Sequence, residues 1–161
     1  MKSLEVCEKN LINFLNNIRE ADLLELKALF KDKYKEEFLK ICLNNNSLIY
    51  FPTLDGKNPL MIGGVVLRKD ASELKFGQVW LLCTNLVEKN KISAFRYIKE
   101  RIEEFKIEFD VLFNYIYKSN FRALLWLNLL GFSSLDLKNP DYKFFYFKKE
   151  GVNFDTRRFT C

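Results

Sequence analysis

Two apolar segments of strand length, Gly77 to Thr84 and Asp110 to Tyr117, bracket a stretch with helical spacing, and this arrangement constrains the fold more than any other feature of the chain. In the first segment, Gln78-Val79-Trp80-Leu81-Leu82-Cys83 is apolar enough to be buried on both faces, which places it centrally in a sheet. Between the two, Phe95, Ile98, Ile102 and Phe105 share one helical face while Lys99, Glu100, Glu103 and Glu104 share the other, with Ser93 as the expected N-cap. A helix of that length returns the chain to the sheet parallel to the strand it left. The fold class that follows is α+β, with a mixed sheet flanked by helices.

Upstream, Leu4, Cys7, Leu11, Phe14, Leu15 and Ile18 recur every three or four residues and predict an amphipathic helix. Asp22 and Glu25 have the spacing of an N-cap and its capping-box partner, so a second helix is expected to begin near Asp22. A third runs from Tyr34 to Leu43 and stops at Asn44-Asn45-Asn46. The period then changes. Leu48 to Phe51 and Pro59 to Leu67 read as strands of a meander turning at Asp55-Gly56, and the pair Gly63-Gly64 predicts a bulge or kink. Downstream of Tyr117, Ser119-Asn120 opens a helix that Gly131 ends, and strands follow around Phe132 to Leu137 and Lys143 to Lys148. The helix there, like the one before it, implies a parallel return. With no repeat or linker, residues 1–161 read as one domain with 1–16 as a helical extension.

Composition excludes more chemistry than it suggests. The 161 residues are 48% hydrophobic, ample for a core, and contain no His, which removes Ser-His and Cys-His catalysis and the usual zinc sites. Cys7, Cys42, Cys83 and Cys161 are scattered, and Cys83 sits in a buried strand with nothing to activate it. A net charge of +5 would help attract a phosphate but does not imply nucleic acid. Charged residues follow the start directly and no apolar run approaches bilayer length, so the expectation is a cytoplasmic protein with reduced thiols and no membrane partner. The aromatic, basic tail from Phe144 to Arg158 reads first as a strand and then as a surface that could dock a partner.

Asn120-x-x-Ala123 followed by Gly131-Phe132, after a strand ending near Tyr117, resembles the C-terminal signature of the GNAT N-acetyltransferase superfamily, whose element order matches from about Asn17 onward. Asn17-Ile18-Arg19-Glu20-Ala21-Asp22 is similar to the first strand and helix entry of that fold. Arg19 to Asp22, Val79 to Thr84, and Asn114-Tyr115-Ile116 with Asn120 to Phe132 together also resemble GNAT-like proteins of tailed phages and prophages, related to an internal-virion or assembly protein.

The resemblance implies the acyl-CoA N-acyltransferase fold, in which two parallel strands splay around an acyl-CoA thioester and backbone N–H groups at a strand end polarise its carbonyl. It implies acetyl-CoA as cofactor and an amine as acceptor. On this chain it points to Leu82, Cys83 and Thr84 at the strand end, to Lys89, Lys91 and Ser93 in the following loop, and to Asn120 as cofactor contacts. The sequence departs from the family at two places. The loop from Asn85 to Ala94 has no Gly for close approach to a diphosphate, leaving Lys89, Lys91 and Ser93 as substitute donors or as a solvated loop. Seven residues after Asn120, where many members have a general-acid Tyr, stands Leu127, so Tyr115 or Tyr117 must serve. Glu20 and Asp22 are candidate bases, with a capping box and salt bridge as the alternative, and Asn120 is equally accounted for as an N-cap. The competing functional reading is a non-catalytic scaffold of the same fold, possessing a phage or host protein partner.

Overall fold

The computed structural model describes residues 1–44, 47–69 and 72–160. In chain order it runs β1 (Lys2–Ser3), α1 (Glu8–Asn17), α2 (Glu20–Phe30), a 3-10 turn (Lys31–Lys33), α3 (Tyr34–Leu43), β2 (Ser47–Tyr50), β3 (Pro52–Thr53), β4 (Met61–Arg68), β5 (Phe76–Cys83), a second 3-10 turn (Asn85–Lys89), α4 (Lys91–Glu108), β6 (Val111–Tyr117), α5 (Phe121–Leu129), β7 (Ser133–Asp136), β8 (Tyr142–Lys148) and α6 (Arg157–Thr160). Of the Asn run expected to stop α3, Asn44 follows the helix, while Asn45 and Asn46 lie outside the described residues, as does Cys161.

The main sheet has the order β2-β4-β5-β6-β8-β7, and β5 is an interior strand as its composition requires. β5 and β6 pair in parallel, the outcome expected of the α4 crossover. The crossover through α5 differs. The chain lands on β7 at the sheet edge, and β8 inserts between β6 and β7, antiparallel to both. A short hairpin connection makes β8 pair with β7, and its other edge then takes the β6 position that a parallel neighbour would have filled.

Two compact units make up the chain, one from residues 1–66 and 80–97, the other from 67–79 and 98–161. In the first, the apolar faces of α1, α2 and α3 close on Phe51, Ile62 and Leu82, with Phe14 stacked on Phe38 at 5.8 Å and edge-on to Phe51 at 6.0 Å. In the second, Phe76, Val111, Phe113 and Phe144 form an aromatic core completed by the tail: Phe154 lies 5.8 Å from Phe76 and Phe159 lies 5.2 Å from Phe113. These half-buried tail aromatics thus pack within their own unit.

Four local expectations are corrected. Against β2 the Gly63-Gly64 pair makes no bulge: the register runs unbroken through Tyr50↔Gly63 and Ile49↔Gly64. The glycines serve close approach instead, since a Cβ on Gly64 would collide with the Leu48 carbonyl oxygen and one on Gly63 would sit 2.7 Å from that of Trp80. α2 begins at Glu20 with Arg19 as its N-cap residue, so Asp22 lies inside the first turn rather than at the cap position. α4 begins at Lys91, two residues before Ser93, because the Asn90 carbonyl already accepts the Ala94 N–H at 2.9 Å. The strand expected around Ile18 is reduced to a single antiparallel bridge with Thr84.

Candidate functional site at the end of β5

Backbone groups alternate in direction along a strand, which decides what the end of β5 can offer. The Thr84 N–H donates to the Leu60 carbonyl at 3.0 Å, on the side of β4, so the peptide groups of Cys83 and Leu81 face the opposite edge. That is the edge on which β6 pairs. The ladder there includes Phe76↔Val111, Gly77↔Leu112 and Gln78↔Phe113. On β6 the Tyr115 N–H is taken by the Asn114 side-chain oxygen at 2.8 Å.

At Cys83 the edge is occupied by the chain itself. The Arg19 N–H donates to the Cys83 carbonyl at 2.8 Å, and the Cys83 N–H donates to Asp22 Oδ2 at 3.0 Å. Asp22 is 1% exposed and also accepts from Arg19 Nε and Nη2, each at 3.0 Å, a bidentate geometry that fixes both side chains. Arg19 Nη1 lies 3.9 Å from Glu88, which in turn lies 3.6 Å from Lys91 Nζ. Burial by itself would lower the Arg19 pKa, but the hydrogen bond and charge of Asp22 outweigh it and hold the guanidinium above its ordinary value.

The residues singled out from sequence are distributed as follows. Leu82 directs its side chain into the core of the first unit. Thr84 is fully buried, and its hydroxyl contacts the carbonyls of Pro59 and Leu60 at 2.9 and 3.0 Å, commitments that leave it structural. Lys89, Lys91 and Ser93 are exposed at the end of the 3-10 turn and in the first turn of α4. Glu20 is exposed in the first turn of α2. Tyr115, Tyr117 and Asn120 belong to the second unit. The Tyr115 hydroxyl donates to the Phe159 carbonyl at 3.0 Å, and burial raises its pKa. Tyr117 packs on Tyr142, with ring centroids 5.3 Å apart. Asn120 is 5% exposed and accepts the Ala123 N–H at 3.3 Å, the bond of an N-cap. Leu127 is buried.

Of the Arg19–Asp22–Cys83 connection, a salt bridge was among the roles the sequence offered for Asp22, and the Cys83 amide was not. The opposite charges three residues apart on a helix were a visible signal for the ion pair. Nothing local indicated an amide 61 residues away.

No protein-family model matches the sequence, and no curated protein sequence matches it significantly. Solved structures do match. PaiA N-acetyltransferase from Thermoplasma acidophilum, in complex with coenzyme A, superposes with a TM-score of 0.63 at 14% identity, covering 92% of this chain and 97% of that one. Spermidine N-acetyltransferase from Vibrio cholerae, in complex with CoA and spermine, gives 0.62 at 14% identity over 91% and 93% of the two chains. An acetyltransferase from Thermus thermophilus gives 0.60 at 14% identity, over 91% and 94%. The fold is that of the GNAT acetyltransferases. In this acetyltransferase fold the parallel β5–β6 pair is the feature expected from the sequence resemblance, whereas the hold of Arg19 and Asp22 on Cys83 was not expected. No helix among the described residues is long and apolar enough to cross a membrane.

Proposed function

We propose that the protein is an acyl-CoA-dependent N-acyltransferase, with acetyl-CoA as donor and an amine as acceptor. The observation that carries this reading is the parallel β5–β6 pairing, within a fold whose solved neighbours include two in complex with CoA. Bound acetyl-CoA would supply an activated thioester, which an amine can attack without a covalent enzyme intermediate.

The residues fit the cofactor in part. The Leu81 N–H, which faces away from β4, is the donor for a carbonyl oxygen carrying developing charge. Glu20, exposed and ionisable, is the base for the incoming amine, and Tyr115 or Tyr117 is the acid for the departing sulfur. Lys89, Lys91 and Ser93 replace a glycine loop as donors to phosphate. Asn120 remains with its helix. Cys83 fits poorly while Asp22 and Arg19 hold its edge.

Calorimetric titration with acetyl-CoA tests the reading, together with an acetylation assay on a panel of primary amines and polyamines. Stability should rise with cofactor concentration, by about 2.7 kcal/mol at one hundred times Kd. Folded protein that takes up no acetyl-CoA at millimolar concentration would end the enzyme reading.

One observation favours a second reading. The chain's own hold on the Cys83 edge suits a scaffold that kept the fold and lost the ligand, working by protein contact in virion assembly or in a host cell as the phage resemblance implies. Pull-down from cells producing phage tests it.

A further inference from the structure

α5 is anchored by its inner face and is apolar on its outer one as well. Trp126 and Leu127 are buried, yet Phe121, Leu125 and Leu129 are 78%, 56% and 62% exposed and recur every fourth residue, which aligns them along one side of the helix. A surface helix ordinarily turns charged and polar groups to water on that side. The only charged residue of α5 is Arg122, whose guanidinium carbon lies 5.9 Å from the centroid of the Trp126 ring. No other helix among the described residues exposes three large apolar side chains. Taking about 150–250 Å² for a whole Phe side chain and somewhat less for Leu, the three leave on the order of 300 Å² of apolar surface in water, a patch of the size that marks contact sites.

We propose that this face pairs with the same face of a second copy of the chain, the two α5 helices running antiparallel about a two-fold axis beside Leu125. The stripe has the symmetry that such a contact requires. Phe121 stands four residues before Leu125 and Leu129 four after, so the axis sets each Leu125 against its counterpart and each Phe121 against Leu129 of the other copy, about 6 Å to either side. Charge agrees with the pairing. The stripe carries none, and each Arg122 comes beside the carboxyl end of the other α5, whose terminal carbonyls favour a cation. Through the stripe alone two copies remove on the order of 600 Å² of apolar surface from water, about half of what the smaller specific interfaces bury in total, and Leu124 and Asn128 on its flank enlarge the contact. An interface at that end of the size range associates at micromolar concentration. The contact lies within the second unit and stands whether or not the protein uses acyl-CoA.

The test is sedimentation velocity on the full chain from about 1 to 200 μM, over which the mass should rise from that of one chain toward that of two. Leu125→Glu and Leu125→Lys alter an exposed position and should each weaken association about tenfold or more, because like charges then meet at the axis. Mixing the two variants should restore the dimer, since opposite charges face each other there, a rescue that requires residue 125 to meet itself. A wild type that stays monomeric throughout overturns the proposal and leaves the stripe to a different partner. A dimer indifferent to both substitutions overturns it too, and so does loss in each variant without recovery in the mixture. Should either variant misfold, amide hydrogen exchange on the wild type decides the matter: exchange over residues 121–129 should slow between the dilute and the concentrated sample, and a dimer in which it does not removes α5 from the contact.

Discussion

Replacing Asp22 by Ala is the perturbation with the largest consequence legible in the structure. It deletes three hydrogen bonds at 3.0 Å, two from Arg19 and one from the Cys83 amide, at a carboxylate that is 1% exposed. Breaking a buried ion pair from one side costs about 3–5 kcal/mol, mostly because the partner charge is left without compensation. Arg19 keeps Glu88 at 3.9 Å and its side chain is 13% exposed, which places the cost near the lower end, about 3 kcal/mol. For a chain of this length each kcal/mol moves the midpoint by about 2–4 °C, so Tm should fall by about 6–12 °C. Urea unfolding with an unchanged m-value would give the same loss directly. The double variant Arg19→Met with Asp22→Leu removes both charges and should recover part of the loss, leaving about 1 kcal/mol for the bond from the Cys83 amide to Asp22. A loss below about 1 kcal/mol for Asp22→Ala would place the pair with solvent-screened surface bridges and refute the argument.

Gly64→Ala should cost about 2–3 kcal/mol in urea unfolding, because the added Cβ meets the Leu48 and Ile49 backbone and can be accommodated only by separating β2 from β4; a neutral result would show that the strands can part freely. Asp55 accepts from the Asn58 and Lys57 amides, the Asn58 side chain and the Thr53 hydroxyl, and these bonds hold its pKa well below the ordinary carboxylate range. Its contribution is thus present above the unfolded pKa near ~4 and lost as pH falls through the lower folded value, so thermal melts between pH 6 and pH 2 should show an acid loss that Asp55→Asn flattens. If Tyr115 is the general acid, Tyr115→Phe should lower kcat by about 10²-fold or more with CoA affinity unchanged, whereas the same result for Tyr117→Phe alone would transfer the role.

Much of this fold was readable because periodicity reports burial. The central position of β5, the amphipathic α4 and the helix opened by Asn120 and closed by Gly131, whose φ is +82°, all follow from patterns a few residues long. The errors have a common origin. Asp22 looked like a cap because Asp is favoured there, yet Arg19 and Cys83 offered its carboxylate stronger partners, and the helix began earlier without it. The Gly63-Gly64 pair looked like a bulge because the reason for it, the backbone of β2 on one side and of Trp80 on the other, is remote in sequence.

By itself the sequence determined which segments are strands and helices and which faces they bury, since side-chain spacing and backbone stereochemistry act over one or two turns. It also settled what chemistry is absent, through the lack of His. Only the tertiary structure decided where β8 inserts, which peptide groups of β5 face away from β4, and that the entry to α2 takes the one at Cys83. Those outcomes depend on pairing partners and on the alternating direction of backbone groups across tens of residues, where local pattern is silent and the best-satisfied set of hydrogen bonds prevails.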